Sequence, residues 1–131
     1  MSVIPFKSSV ITVSKISRFE LCTCSFQGSA PYPAARVVPA PTVPAAGLRL
    51  SVVVPCYALG ALCVDAVQSI LRQTMAALEV IVVDDGSTDG TLDHVLAIED
   101  PRLTCITQPN RGLAGARNTG VRHARAQFVG F

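Results

Sequence analysis

Two adjacent carboxylates, Asp84 and Asp85, directly follow an unbroken run of β-branched apolar residues at positions 80–83. A run of this length without polar alternation is typical of a strand that is buried on both faces of a parallel sheet. Open α/β sheets bind their ligands outside the carboxyl ends of the strands, where these carboxylates would lie. There they could accept hydrogen bonds from sugar hydroxyls or base N–H groups, or they could hold a metal ion.

Two other residues could act with this acid pair. Tyr57 follows an earlier apolar run, and Arg117 lies on a helix that begins with the glycine-rich residues 112–116. Stacking on an aromatic ring and hydrogen bonding to a carboxylate suit a nucleobase and its ribose, and an arginine near a helix amino end suits the attached phosphates. The alternatives are a buried tyrosine, turn-forming aspartates and a surface arginine. Three such features at corresponding strand ends favour a ligand site.

The two common phosphate-binding loops are absent from the sequence. A dinucleotide oxidoreductase needs G-x-G-x-x-G in the first strand-to-helix turn, and a P-loop needs G-x-x-x-x-G-K-[ST]. The turn at residues 55–61 reads PCYALGA and has a single glycine, and no P-loop run occurs anywhere. The sequence therefore excludes both of these classes.

The elements that must position these side chains alternate along the chain. Apolar runs predict four strands, at residues 50–54 (ended by Pro55), 80–83, 103–107 and 128–131. Helical spacing predicts three helices, from residue 62 to near 73–74, from 92 to about 99, and from about 113 to 125. The Ser, Thr and Asp side chains at 87–89 are expected to cap the second helix. This order predicts a three-layer α/β/α, Rossmann-like parallel sheet.

Residues 1–47 differ from the rest. Five prolines among alanines fill residues 31–47, and this density predicts an extended, irregular tail or linker. Residues 10–16 could form an isolated strand. The globular domain is therefore predicted over residues 48–131.

Composition limits the partners and the location. The net charge is +2, which is too small to indicate nucleic acid, and no run of 18 apolar residues predicts a membrane span. The cysteines form no metal-binding pattern, and we expect Cys56, Cys63 and Cys105 to be reduced core thiols in the cytoplasm. Five arginines and no acid follow Asp100, which suits an anionic ligand, although Arg122 and Arg125 fit a solvated face better.

Five ordered segments carry a resemblance to a known family. They are residues 51–57 (SVVVPCY), 69–74 (SILRQT), 79–91 (EVIVVDDGSTDGT), 110–120 (NRGLAGARNTG) and 128–131 (FVGF). Together they resemble the family 2 glycosyltransferases, which have the GT-A fold. The segments cover residues 49–131, and the tail resembles no family.

The resemblance implies a nucleotide-sugar donor, often a uridine diphosphate sugar, and inverting transfer to an acceptor hydroxyl of a glycan, lipid or protein. By position, Pro55 and Tyr57 would line the base pocket and Asp85 would bind the base edge. Asp84 would have a supporting role, and Arg117 would approach the nucleotide. The resemblance also implies a location in the cytoplasm or at the inner face of a membrane.

The resemblance is incomplete in three places. Ala58 stands where the family usually has Asn, and residues 126–127 are Ala-Gln where Gly-Glu is usual. The family's Asp-x-Asp motif, which holds Mg²⁺ or Mn²⁺, would come just after Phe131, and the catalytic base would follow. We therefore expect no metal ligand or catalytic residue in this chain, and nucleotide binding without transfer. The rival hypotheses are a non-catalytic fragment or pseudoenzyme, and a nucleotidyltransferase.

Overall fold

The computed structural model describes residues 2–6, 9–15, 36–38 and 47–131. Its strands and helices are, in chain order, β1 (Ser2–Phe6), β2 (Ser9–Lys15), β3 (Arg36–Val38), β4 (Leu50–Cys56), α1 (Leu62–Leu71), β5 (Leu78–Asp84), α2 (Thr91–Leu96), β6 (Leu103–Thr107), α3 (Gly112–His123) and β7 (Phe128–Gly130). From β4 onward, this is the predicted alternation of strands and helices.

One mixed sheet organises the described part of the chain, with strand order β1-β2-β7-β4-β5-β6-β3. The four central strands, β7, β4, β5 and β6, are parallel to one another. The outer pairings, of β2 with β7 and of β3 with β6, are antiparallel. The predicted parallel α/β sheet is thus confirmed for its centre, and the antiparallel edges are an addition that the sequence analysis lacks.

The helices cover both faces of the parallel centre. Helices α1 and α2 pack on one face, over a core that includes Val52, Val80 and Val95. Helix α3 packs on the other face against β4 and β5, over a smaller core that includes Val53 and Ile81. Strand β5 is buried along its whole length, as expected for an apolar run without alternation.

Helix α3 lies unusually close to the sheet at Gly120. A Cβ atom at this position would come within 2.2 Å of Val53 Cγ1, which is closer than side chains tolerate. A glycine inside a helix costs about 1 kcal/mol relative to alanine, and here the close packing of helix on strand explains it. This close packing fixes the second half of α3 against the middle of β4.

Strand β4 continues through Pro55 to Cys56, so the predicted end at Pro55 is wrong. The carbonyl oxygen of Cys56 accepts a hydrogen bond from Asp85 N on the β5 side. Because successive residues of a strand face opposite neighbours, Pro55 faces the β7 side. Strand β7 pairs with β4 only as far as Val52, so the missing N–H of the proline breaks no ladder bond there.

Strands β1, β2 and β3 all come from residues 1–47. The strand expected at residues 10–16 is present as β2, where it is paired with β1 and β7 rather than isolated. Strand β3 extends the opposite edge of the sheet by pairing with β6. The domain boundary near residue 47 stays a prediction, and Cys22 and Cys24 lie outside the described residues.

The end of the sheet at which the parallel strands begin, called the amino edge below, holds a buried carboxylate. Glu79 is 1% exposed and accepts hydrogen bonds from Ser51 Oγ (2.6 Å) and from Arg125 N and Nε (both 2.8 Å). A buried charge needs such partners to offset the loss of hydration. The solvated position predicted for Arg125 is therefore wrong, because its guanidinium forms an ion pair with Glu79 at 2.6 Å.

Topology also separates the other arginines of the basic segment. Arg102 precedes β6, where it forms an ion pair with Asp100 and donates to the Leu71 carbonyl oxygen. Arg122 is exposed and donates to Thr119 Oγ1. Only Arg111 and Arg117 lie in the segment from the end of β6 to the middle of α3. This segment is at the end of the sheet where the parallel strands finish, which is called the carboxyl edge below. The arginine-rich segment is therefore not one anion-binding surface.

Candidate functional site

Three strands end side by side at the carboxyl edge of the sheet. Cys56 of β4 is in register with Asp84 of β5, which is in register with Thr107 of β6. The loops that follow these strands therefore start next to one another. They carry Tyr57, Asp85 and the turn at residues 108–111 that leads into α3.

Asp85 lies at the centre of this edge and is 3% exposed. Its Oδ1 atom accepts two hydrogen bonds, from Gln108 Nε2 at 2.6 Å and from the backbone N–H of Arg111 at 2.9 Å. Arg111 is the N-cap residue of α3, so the carboxylate also lies at the positive end of a helix dipole. Among the described residues, no donor contacts Oδ2. The two donors to Oδ1 therefore fix the orientation of the carboxylate.

Asp84 points into the protein rather than toward a ligand. Its side chain accepts hydrogen bonds from Ser87 N (3.2 Å) and Thr107 Oγ1 (3.3 Å), one to each oxygen. Its carbonyl oxygen accepts the N–H of Gln108 at 3.0 Å. Asp84 therefore holds the β5 and β6 loops together, in keeping with a supporting role, and a direct contact with nucleotide stays a prediction.

The loop after β5 also fixes the loop after β4. Ser87 Oγ accepts the N–H of Ala58 at 3.0 Å. Thr91 Oγ1 accepts the N–H groups of Leu59 (3.1 Å) and Gly60 (2.8 Å), and Asp89 Oδ2 accepts that of Gly60 at 3.1 Å. Three consecutive amides after Tyr57 thus bind side chains of residues 87–91. This network gives a physical reason for the Gly-Ser-Thr-Asp-Gly-Thr sequence.

The predicted capping role of residues 87–89 is wrong in part. The N-cap residue of α2 is Gly90, in a left-handed conformation and without a side-chain cap. Asp89 does accept the N–H of Thr91, the first residue of the helix. Ser87 instead bonds to the preceding β4 loop. The hydrogen bond from the Thr91 hydroxyl and those from backbone N–H groups hold the pKa of Asp89 below its usual range.

Gly86 lets the β5 loop pack against the turn before α3. Its φ is +82°, in the region that favours glycine, and a Cβ would lie 3.0 Å from Asn110 N and 3.3 Å from the Gln108 carbonyl oxygen. A side chain here would push the turn away from Asp85. The absence of a side chain at Gly86 therefore allows the close contact between Asp85 and the 108–111 turn.

Tyr57 and Arg117 are the accessible members of the predicted site. The Tyr57 side chain is 56% exposed at the end of β4, so its ring is available for stacking, and Pro55 beside it is half-buried. The Arg117 guanidinium lies 5.6 Å from the ring centroid of Phe131, in a cation–π contact. Within the described residues it makes no hydrogen bond to Asp84 or Asp85. The structure thus brings Asp84 and Asp85 together and sets Arg117 beside Phe131.

The thiols near this edge are core residues, as predicted. Cys56, Cys63 and Cys105 are buried and unpaired. A hydrogen bond with Cys63 and burial both raise the pKa of Cys56, and burial raises the pKa of Cys105 to about 12. The same hydrogen bond, with Cys56, lowers the pKa of Cys63. The Cys56 and Cys105 thiols are therefore protonated and are poor nucleophiles. His94 is exposed on α2, as expected for a surface residue.

The described residues do not offer a metal centre. No group of three or more His, Cys, Asp or Glu side chains in this part of the chain is arranged to hold a metal ion. Asp84 and Asp85 already bind hydrogen-bond donors of the surrounding loops. Both carboxylates of the acid pair therefore take part in the hydrogen bonding of the loops at this edge.

Sequence reasoning missed Gln108, Ser87 and Thr91 as parts of this site. Thr91 is fully buried and needs a polar partner, but its burial is seen only in the structure. Gln108 had no signal in the sequence, since a glutamine after a strand is ordinarily a surface residue. Only the register of β5 with β6 brings its amide beside Asp85.

The parallel centre, the helices on both faces and the acidic carboxyl edge define an α/β protein of the GT-A type. The sequence model described as "Glycosyl transferase family 2" matches residues 51–131. The chain belongs to the family 2 glycosyltransferases. This membership favours sugar transfer over the nucleotidyltransferase alternative.

The chain is similar to several bacterial glycosyltransferases. It is 39% identical to the uncharacterised glycosyltransferase EpsJ of Bacillus subtilis, over 63% of this chain and 24% of that protein. It is 36% identical to the β-1,3-glucosyltransferase WfgD of Escherichia coli, which uses UDP-Glc, over 63% of this chain and 33% of that protein. The chain thus spans a third or less of the length of these relatives.

A solved structure shows the same fold. The chain is 36% identical to the mannosyltransferase PcManGT of Pyrobaculum calidifontis, with a TM-score of 0.53 over 73% of this chain and 28% of that one. That protein was solved in complex with GDP-Man and Mn²⁺. In the part of the present chain that the structure describes, no helix has the length and apolar character needed to cross a bilayer.

Ala58 provides a test of the loop after β4. Its φ is +51°, a left-handed conformation that costs an L-residue with a Cβ about 1–2 kcal/mol. Ala58→Gly should therefore raise the free energy of unfolding by about 1 kcal/mol, measured by urea denaturation. Ala66→Gly, the same change in the middle of α1, should lower it by about 1 kcal/mol. Destabilisation by both substitutions would contradict the strained loop.

Thr91 provides a test of the loop network. Thr91→Val keeps the shape of the side chain but removes the oxygen that accepts the N–H groups of Leu59 and Gly60. The free energy of unfolding should fall by about 0.5–1.5 kcal/mol, because the part-buried N–H of Leu59 loses its acceptor and that of Gly60 loses one of its two acceptors. Thr88→Val, at an exposed position of the same loop, should change it by less than about 0.5 kcal/mol. Equal effects of the two substitutions would show that the network is not a stabilising one.

Proposed function

We propose that this chain is the nucleotide-binding part of an inverting glycosyltransferase that transfers a sugar from a nucleoside diphosphate sugar to an acceptor hydroxyl. The observation that carries the proposal is the Asp85 carboxylate, whose Oδ1 is held by two donors while Oδ2 is left at the carboxyl edge. Because the chain spans a third or less of its relatives, transfer belongs to a larger protein. The acceptor is proposed only as a glycan, lipid or protein hydroxyl.

Each site residue has a separate task in this proposal. The exposed ring of Tyr57 stacks on the nucleobase, and Pro55 forms the floor beneath it. Asp85 Oδ2 accepts an N–H of the base edge, which a neutral acceptor would bind less strongly. Arg117 and the amino end of α3 face the diphosphate, where positive charge and a helix dipole stabilise an anion. Asp84 supports the loops and does not act in the chemistry.

The identity of the donor's nucleobase is the most specific part of the proposal. The family resemblance implies uridine, and the similar mannosyltransferase was solved with GDP-Man. Uracil N3–H and guanine N1–H are both suitable donors to Asp85 Oδ2. Both nucleotides therefore enter the experiments below.

A divalent cation belongs to the proposed reaction of the whole protein. In such a reaction Mg²⁺ or Mn²⁺ neutralises the charge of the departing diphosphate. No cluster among the described residues fits such an ion, and we propose that other residues of the whole protein hold it and supply the catalytic base. The chain by itself should bind nucleotide weakly and should transfer no sugar. The buried thiols are typical of a reducing compartment, so a cytoplasmic site of action is part of the proposal.

Asp85→Asn tests this function while it preserves the fold. The new side chain can keep an oxygen for Gln108 and Arg111, but it places an NH₂ group where the base N–H would donate. Calorimetric titration with UDP and with GDP should show binding to the unmodified chain that falls about tenfold or more in the variant. Asp93→Asn, on the exposed side of α2, should bind like the unmodified chain.

Unchanged binding by the Asp85→Asn variant would refute the proposed site. Sugar transfer or donor hydrolysis by the 131-residue chain, lost on Asp85→Asn, would instead show that Asp85 acts in the chemistry. If the heat of nucleotide binding is lost in both the Asp85→Asn and the Asp93→Asn variants, the effect is a nonspecific one of charge. This result would also count against the proposal.

A further inference from the structure

Gln108 is a buried polar residue. It has no role in the proposed function, and the sequence motifs assign it none. It is 3% exposed, and its Nε2 donates to Asp85 Oδ1 at 2.6 Å. A carboxylate accepts and does not donate, so this contact identifies the amide nitrogen as the atom that faces Asp85. The orientation of the amide is therefore fixed by chemistry.

The other end of the same amide is unsatisfied. Gln108 Oε1 is buried and has no hydrogen-bond partner within the described part of the chain. A buried acceptor without a donor destabilises a protein, whereas an apolar side chain of similar size would not. A glutamine at this position is thus a poor choice for packing alone, and its value lies in the donor that it presents to Asp85.

The geometry around Asp85 shows what this donor adds. The backbone N–H of Arg111 reaches the same oxygen at 2.9 Å, so two donors from one turn converge on Oδ1. With one donor, the carboxylate could still rotate and exchange its two oxygens. With two donors on one oxygen, the carboxylate is held in a single orientation. The backbone N–H of Gln108 is bonded to the Asp84 carbonyl, which fixes the turn itself.

We propose that Gln108 is a positioning residue, which orients Asp85 so that Oδ2 faces an N–H group on the edge of the donor's nucleobase. The proposal rests on the function proposed above, because it assigns Asp85 to that base edge. Gln108 does not touch the base. It determines how sharply the site distinguishes a base that carries this N–H from one that lacks it.

The test measures discrimination rather than affinity alone. The probes are UDP and GDP and their methylated forms, N3-methyluridine 5′-diphosphate and N1-methylguanosine 5′-diphosphate, which have lost the donor N–H. Whichever parent nucleotide binds more tightly to the 131-residue chain should bind about tenfold or more better than its methylated form. Gln108→Leu should reduce this ratio to within about threefold of unity, because the outer oxygen is no longer held toward the base.

Two further variants separate positioning from folding. Gln108→Glu keeps the shape but sets a second carboxylate against Asp85, so it should reduce both the affinity and the ratio further. Gln73→Leu makes the same chemical change as Gln108→Leu at the end of α1, where Gln73 donates to the Ser69 carbonyl, and should leave the ratio unchanged. Urea denaturation should show that Gln108→Leu remains folded with at most a moderate loss of stability, since removal of the unsatisfied oxygen offsets part of the loss of one donor to Asp85.

The outcomes distinguish failure of this inference from failure of the proposed function on which it rests. If Asp85→Asn abolishes the ratio but Gln108→Leu retains it, Asp85 binds the base without help and the positioning role is wrong. If neither parent nucleotide binds, or if Asp85→Asn retains the ratio, both the proposed function and the inference are overturned. If Gln108→Leu unfolds the chain, Gln108 is a packing residue, which also overturns the inference.

Discussion

The buried charge of Asp85 is the constraint on which the carboxyl edge of the sheet depends. A carboxylate that is 3% exposed must be compensated by donors, and the structure supplies two of them, from the turn before α3. This requirement links strand β5, the β6–α3 turn and the amino end of α3 in one arrangement. Gly86 permits the close contact, because any Cβ there would collide with the turn.

Each end of the parallel strands holds a buried carboxylate, and the two carboxylates have different roles. At the amino edge Glu79 is fully occupied by Ser51 and Arg125, and it can only stabilise the fold. At the carboxyl edge Asp85 keeps one oxygen outside the network of the described residues. The difference does not lie in the carboxylates. It lies in the donors around each of them: Ser51 and Arg125 donate to both oxygens of Glu79, whereas the donors to Asp85 among the described residues, Gln108 and Arg111, both bind Oδ1.

The fold could be predicted from sequence where the pattern is local, and the site only in part. The unbroken apolar run of β5 and the helical spacing of α1 fixed the parallel α/β centre. Strand β3 could not be found, because three residues carry no periodic signal and their pairing with β6 is distant in sequence. The same limit applies to Arg125 and Gln108, whose partners Glu79 and Asp85 are 46 and 23 residues away.

The central claim is that nucleotide binds at the carboxyl edge, beside the Oδ2 atom of Asp85. A titration of the ¹⁵N-labelled chain with UDP or GDP, followed by NMR, tests it most directly. The account predicts that the largest shifts fall on the backbone amides of Tyr57, Asp85 and Arg111 and on the side-chain NH₂ of Gln108. Shifts concentrated around Glu79 and Arg125, at the amino edge, would contradict it.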